Sequence, residues 1–296
     1  MHPLEGFVLK MNRAEHHLET IRSDVEGFNQ SEFYETVAEF DYKGRLVARL
    51  KNVKQPPPEL SVLIGDCVYN LRSALDQLAY GMAAAYTRPL PEAFARTVSF
   101  PIFKTGPLYR GKVRGRGGGA TPKLRGMSRG TRAAIQRLQP YHGRKNPSLY
   151  LLWMLEELSN IDKHRLVHLT SAAVFGTSFQ VSGTGVWRLE GLEVVPGPMK
   201  ENAVVGRFYG EFAPPPAVEV KANIVPDVLF DKSTEARSVR GLPVLDVLYA
   251  IREVIVLSVL PELDKELVRL FPEGQFVVGI GELKPDHRRY DQRGYA

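Results

Sequence analysis

The chain has 296 residues, of which 44% are hydrophobic, an ordinary content for a globular protein and enough for a sizeable core. Its formal charge of +6 is local: thirteen Lys and Arg and no acidic residue lie between Glu92 and Glu156, and the remainder sums to −7. A lone cysteine, Cys67, excludes disulfides within the chain and a thiolate metal cluster, and the longest apolar tract, Leu242 to Leu260, is broken by Asp246, Arg252 and Glu253, which argues against a membrane span.

The opening residues, MHPLEGFVLKMNRAEHH, lack the apolar core and cleavage site of a secretory signal, so a cytoplasmic protein with no membrane partner is expected. Leu9 to Phe28 reads as a helix with Leu9, Ala14, Leu18, Ile21 and Val25 on one side. Phe33 to Leu50 alternates as a hairpin. A consistent apolar face predicts Ala38 opposite Leu50, Phe40 opposite Ala48 and Glu39 opposite Arg49, with Lys43, Gly44 and Arg45 as the loop. Pro56 to Pro58 lead into the strongest element, a helix over Leu60 to Met82. Its stripe includes Leu63, Cys67, Leu71, Ala74 and Leu78, and the polar residues Asp66, Asn70, Ser73 and Gln77 run along one border.

Val98 to Phe103 reads as extended. The glycine-rich run from Gly106 to Gly130 has almost no apolar periodicity and is expected to be a flexible basic insertion. Thr131 to Leu138 is a short helix ending before Pro140, and Ser148 to Ile161 a longer one with Leu151, Leu152, Leu155, Leu158 and Ile161 as its stripe. Short alternating runs follow at Val167 to Phe175, Phe179 to Val181, Val186 to Leu189, Val204 to Phe212 and Val218 to Ile224. A buried helix over Leu242 to Leu260 should stop at Pro261, with a further turn or two over Glu262 to Phe271. The expected fold is α+β: a helical bundle portion in the first half, an antiparallel sheet in the second, and a long buried helix beyond it. One domain over 1–283 carries the insertion at 106–130 and precedes a polar tail at 284–296.

The pattern excludes several chemistries. Gly115 to Gly119 neither follows an apolar strand nor ends in GKS or GKT, and GxSxG, HExxH and EF-hand spacings are missing, so no nucleotide, hydrolase or metalloprotease site has a starting point. His164 and His168 share a spacing of four but lack nearby third and fourth ligands, so neither a metal nor a cofactor is expected. The densest polar group beside a strong helix is Glu156, Glu157, Asn160, Asp162, Lys163, His164 and Arg165.

The strings GDCVYNLRSALDQLAY, FPIF, LQPYH and LWMLEELSNIDKHRL resemble a pattern shared by a family of uncharacterised bacterial proteins, over about Leu60 to Leu169. More distantly, NLRSALDQ is similar to the motif helix of HEPN domains, helical bundles many of which are RNases carrying Arg and, four to six residues later, His. Arg72 matches the Arg and Asn70 precedes it. Gln77 stands where the imidazole is expected and cannot exchange a proton as one would. Arg137 and His142 match the spacing literally, but Pro140 keeps them from sharing a helical face.

Two functions follow as expectations. In the first, HEPN-like, Asn70, Arg72, Asn160 and His164 line a cleft between the two strong helices, with Arg72 binding an anion and His164 as acid or base. RNA or single-stranded DNA is then held by a basic run that includes Arg114, Arg116, Arg125 and Arg129. In the second, a non-catalytic α+β protein binds a protein partner or small ligand, and the polar residues serve local packing. Clustering of the four cleft residues favours the first; their separation into local hydrogen bonds favours the second.

Overall fold

A computed structural model describes residues 2–112, 118–143, 150–173, 177–215 and 217–272. The architecture is α+β, with helices dominant in the first half, antiparallel strands in the second and a long helical stretch after them. Where one domain over 1–283 is expected, contacts divide the chain into two compact units. Unit 1 comprises Met1–Leu18, Ile64–Arg165 and Asp246–Ala296; unit 2 comprises Glu19–Leu63 and Leu166–Leu245. The polar tail at 284–296 lies outside the described residues.

Unit 1 is helical. Helix α1 (Glu5–Gln30) contributes its first part. Leu4, Phe7, Met11, Ala14 and Leu18 are buried at alternating spacings of three and four, whereas Leu9, expected in the stripe, is exposed. Helix α2 (Pro58–Tyr86) starts at the last of the three prolines, where a missing N–H costs nothing. Cys67, Leu71, Ala74 and Leu78 are buried as expected, while Leu63 is only half-buried and its neighbour Ile64 is fully so. The Cys67 thiol points at the Ala14 carbonyl, 3.8 Å away.

Two one-turn helices, α3 (Glu92–Ala95) and α4 (Gly106–Tyr109), flank the extended FPIF segment, and α5 (Arg129–Arg137) is capped by Ser128, whose hydroxyl accepts the Thr131 N–H at 2.9 Å. The expected flexible insertion has buried anchor points among its described residues. Tyr109, Ala120, Leu124 and Met127 are buried, and the Ala120 N–H donates to the Tyr109 carbonyl. Gly119 has φ +63° and lies so close to the backbone of Gly111 that any Cβ there would collide with it, so the glycines serve close packing as well as freedom.

Helix α6 is Tyr150–Asp162; the Pro147 and Ser148 start expected for it lies outside the described residues. Gly65 of α2 faces Asp162 of α6 at a distance that leaves no room for a side chain. Helices α7 (Val244–Val254) and α8 (Leu260–Leu270) are joined by a π-helical turn, Ile255–Val259. Pro261 therefore does not stop the helix. The wider turn before it accommodates the ring and the missing donor. Glu266 of α8 accepts from Ser128 Oγ at 2.6 Å and Thr131 Oγ1 at 3.3 Å, which fastens α8 to the start of α5.

Unit 2 carries the strands β1 (Glu35–Phe40), β2 (Leu46–Lys51), β3 (Leu169–Ala173), β4 (Ser178–Ser182), β5 (Val186–Val194), β6 (Gly197–Pro198), β7 (Val204–Phe212), β8 (Glu219–Asn223) and β9 (Pro226–Phe230). They form an antiparallel four-stranded sheet in the order β1-β2-β7-β5, a three-stranded sheet β6-β3-β9 and the pair β4-β8. Phe33, Leu46, Leu50, Met199, Phe208, Val220 and neighbours make its core.

The β1–β2 hairpin keeps the expected parity but is displaced by two residues: Ala38 pairs with Ala48, Phe40 with Leu46, and Val37 with Arg49. Asp41 is the reason. Its carboxylate accepts the N–H groups of Lys43 (2.9 Å) and Arg45 (3.0 Å), and its own N–H donates to the Arg45 carbonyl, so the turn closes one residue earlier than alternation implies. Glu39 and Arg49, expected to face each other, still pair diagonally at 2.8 Å.

Candidate functional site

Arg72 sits at the middle of α2, and every edge of its guanidinium is engaged. Nε donates to Glu156 of α6 (2.9 Å), Nη1 to Asp76 one turn along α2 (2.7 Å), and Nη2 to the Phe100 carbonyl (2.8 Å). Asp76 in turn accepts the Phe100 N–H at 2.9 Å. Gln139, fully buried, completes the frame: its amide donates to the Pro101 carbonyl (2.8 Å) and accepts the Phe103 N–H (3.0 Å). The four strings that carry the resemblance thus meet in one hydrogen-bonded knot: Arg72 and Asp76 from NLRSALDQ, Phe100 from FPIF, Gln139 from LQPYH and Glu156 from LEELSN. With two carboxylates against it and each of its three nitrogens already donating, this guanidinium is largely neutralised, which disfavours an incoming anion.

The other expected cleft residues divide. Asn160 joins the Arg72 group at its margin, donating to Glu156 at 3.4 Å from an exposed position. Asn70 is buried elsewhere along α2, donating to the Asp66 carbonyl (2.7 Å) and accepting from Lys10 of α1 (3.2 Å). His164 lies just past the end of α6, exposed, its backbone N–H bonded to the Ile161 carbonyl. Gln77 is exposed and packs against Gly6.

A polar group that sequence reading missed lies nearby. His17 is buried, and desolvation, then Arg13, pushes its pKa down against the pull of Asp66. Burial, then Asp66, pushes the Asp162 carboxyl up. Among the described residues no group of three or more His, Cys, Asp or Glu could hold a metal ion, and no helix is long and apolar enough to cross a membrane.

Of the expected phosphate contacts, Arg114 and Arg116 lie outside the described residues. Arg125 is exposed with its guanidinium over the Phe94 ring, 5.6 Å from the centroid, and Arg129 opens α5, also exposed. Arg137 pairs with Glu262 of α8 at 2.7 Å.

One cavity belongs to unit 2. It is an open groove of about 460 Å³ lined by Phe40, Arg45, Trp187, Tyr209, Gly210 and Phe212, with Glu190 and Glu211 among its other walls. Its geometry follows from strand lengths. The β2–β7 pairing ends at Leu46 and Phe208, so among the described residues no strand pairs with Tyr209–Phe212 of β7 on that side. On its other side the same stretch pairs with β5 through two bulges, between Val186 and Arg188 and between Leu189 and Gly191. Gly210, at φ +148°, lies against the Arg188 carbonyl where a Cβ would collide, leaving bare backbone in the groove.

The groove's charges are mostly spent. Arg45 is held by Asp41, whose carboxyl that contact lowers to about 2. Arg188 pairs with Glu190 at 3.2 Å, and Glu193 accepts from Arg207 (2.7 Å) and the Tyr209 hydroxyl (3.0 Å). Trp187 is 67% exposed, a large apolar surface for one side chain to leave in water. The only sequence signal of this groove is that VWRLEGLEV carries apolar residues on both parities, which a strand with one solvated face does not require. Comparison with protein-family models, with curated proteins and with solved structures found no match to this chain.

Proposed function

We propose that this is a non-catalytic binding protein that takes its ligand or partner in the aromatic groove of unit 2. The observation that carries the reading is a contrast between two places: Arg72, the HEPN-like position, is tied to Glu156, Asp76 and the Phe100 carbonyl, while the groove around Trp187 offers open space and exposed rings. On this reading the helical unit is a HEPN-like relative without the imidazole, and its motifs hold the unit together. A thermal-shift panel of peptides, oligosaccharides and nucleotides on the full chain tests it. A stabilising compound should lose its effect in Trp187→Ala and keep it in His164→Ala. Turnover of a panel compound, or loss of the effect in His164→Ala alone, overturns it.

A second reading, binding of RNA or single-stranded DNA, is favoured by the charge division: unit 1 holds 26 basic and 17 acidic residues, and among the described residues neither Arg125 nor Arg129 forms an ion pair. Anisotropy of labelled oligo-dT and oligo-U should then show affinity that falls steeply with salt and weakens in Arg125→Ser/Arg129→Ser. No binding at low salt removes this reading.

A further inference from the structure

We infer that the groove of unit 2 takes an extended polypeptide segment, which adds to the free edge of β7 at Tyr209–Phe212 and sets alternate side chains against Phe40 and Trp187. The inference rests on the binding reading and names its ligand class. Three observations select this occupant.

The first is the backbone. Past Phe208 no β2 residue pairs with β7, and the turn at 41–45 closes on itself through Asp41, so among the described residues it makes no backbone hydrogen bond to Tyr209–Phe212. Four residues of strand with one open side are a template for another strand, and a sugar or a nucleobase would use only a fraction of it.

The second is the pattern of the walls. Phe40 and Trp187 are exposed apolar surfaces in the walls of one groove, which apolar side chains of an extended segment would cover. The volume lies in the range of sites that enclose a ligand, so several side chains fit at once.

The third is charge. Arg45, Arg188 and Arg207 each pair with a carboxylate, whereas among the described residues Glu211 has no ion-pair partner. The uncompensated charge is therefore negative, which disfavours a polyanion and favours a segment carrying Lys or Arg. The outer edge of β5 is also open, but its two bulges and its Arg188, Glu190 and Glu193 side chains make it a poor template.

The experiment uses the full chain with Trp153→Phe, so that Trp187 alone emits, and an equimolar pool of capped heptapeptides with Val, Thr, Tyr or Lys at each position. The expected result is a blue shift of Trp187 emission, slowed amide exchange at Tyr209–Phe212, and a loss of affinity of about tenfold or more in Glu211→Lys and on N-methylation of alternate peptide amides. Exchange protection confined to β5, or equal binding of the N-methylated pool, overturns strand addition but leaves the groove a binding site. A shift caused by oligosaccharides or nucleotides and not by the peptides overturns the ligand class alone. No response of Trp187 to peptide, sugar or nucleotide overturns both the inference and the reading beneath it.

Discussion

Replacing Arg72 with Ala deletes three hydrogen bonds at once and leaves Asp76 and Glu156 beside each other without their shared cation. Hydrogen bonds to charged groups contribute about 1.5–3 kcal/mol each, and breaking a buried pair costs about 3–5 kcal/mol. Here the arginine side chain is only 12% exposed, but the carboxylates it leaves retain 37% and 22% exposure and can be rehydrated. That partial solvation places the expected loss near the lower bound, about 3 kcal/mol. Arg72→Lys keeps the charge and one of three contacts and should recover about half of it. The two tryptophans fall in different units, Trp153 in α6 and Trp187 in β5. In a Trp187→Phe background, urea unfolding followed by emission therefore reports unit 1 by itself. A loss below about 1 kcal/mol would mean that the guanidinium is not a structural tie, and would reopen anion binding by α2.

Leu71, fully buried in α2, should cost about 2–5 kcal/mol on replacement with Ala in the same assay. Gly130→Val drives a side chain into Glu266 of α8 and should destabilise unit 1 by about 1–3 kcal/mol, with part of the loss recovered when Glu266→Ala is added in a double-mutant cycle. His17 titrates below its usual 6.5, so the unfolded chain binds the extra proton first. The stability this confers is present above pH 6.5 and is lost as pH falls through the lowered value, a slope that His17→Gln should remove from a melting-temperature profile. Asp41, held at about 2 against a usual 3.8, contributes to unit 2 above pH 3.8 and loses that contribution as pH falls through about 2. Hairpin amide shifts of Lys43 and Arg45 should follow that transition and not appear in Asp41→Asn.

Long periodic elements were legible because their signal is local. α2, α5 and α6 follow from apolar spacing, and the hairpin's parity follows from alternation. Its register did not follow, because the choice between pairings of equal parity rests on Asp41 closing the turn with two backbone N–H groups, and alternation is blind to that. β9 was missed because Pro226 opens it; as an edge strand of its sheet it can spare the donor. Pro261 was read as a stop because a π-helical turn leaves no mark in composition. For the site, the polar residues of α2 and α6 stood out, but their pairing depends on Phe100 and Gln139, whose side chains carry no charge to attract notice. The groove joins residues near 40, 187 and 210, and no spacing rule connects strands that far apart.

The way the chain is divided between the units also orders their completion during synthesis. Unit 2 has all its residues once Leu245 has been made, whereas unit 1 still lacks α8 and most of α7. Phe7, Met11 and Ala14 are made well before α7 and α8, yet the unit that buries them is complete only when Arg252 reaches Glu15 (3.1 Å) and Glu266 reaches Ser128. At roughly 5–20 residues per second, the helical unit stays incomplete for on the order of ten seconds or more after α1 is made. A ribosome stalled before α8 would thus release a chain with a finished β-unit attached to a sticky, open helical one, and such nascent chains are the ones a holding chaperone would have to shield.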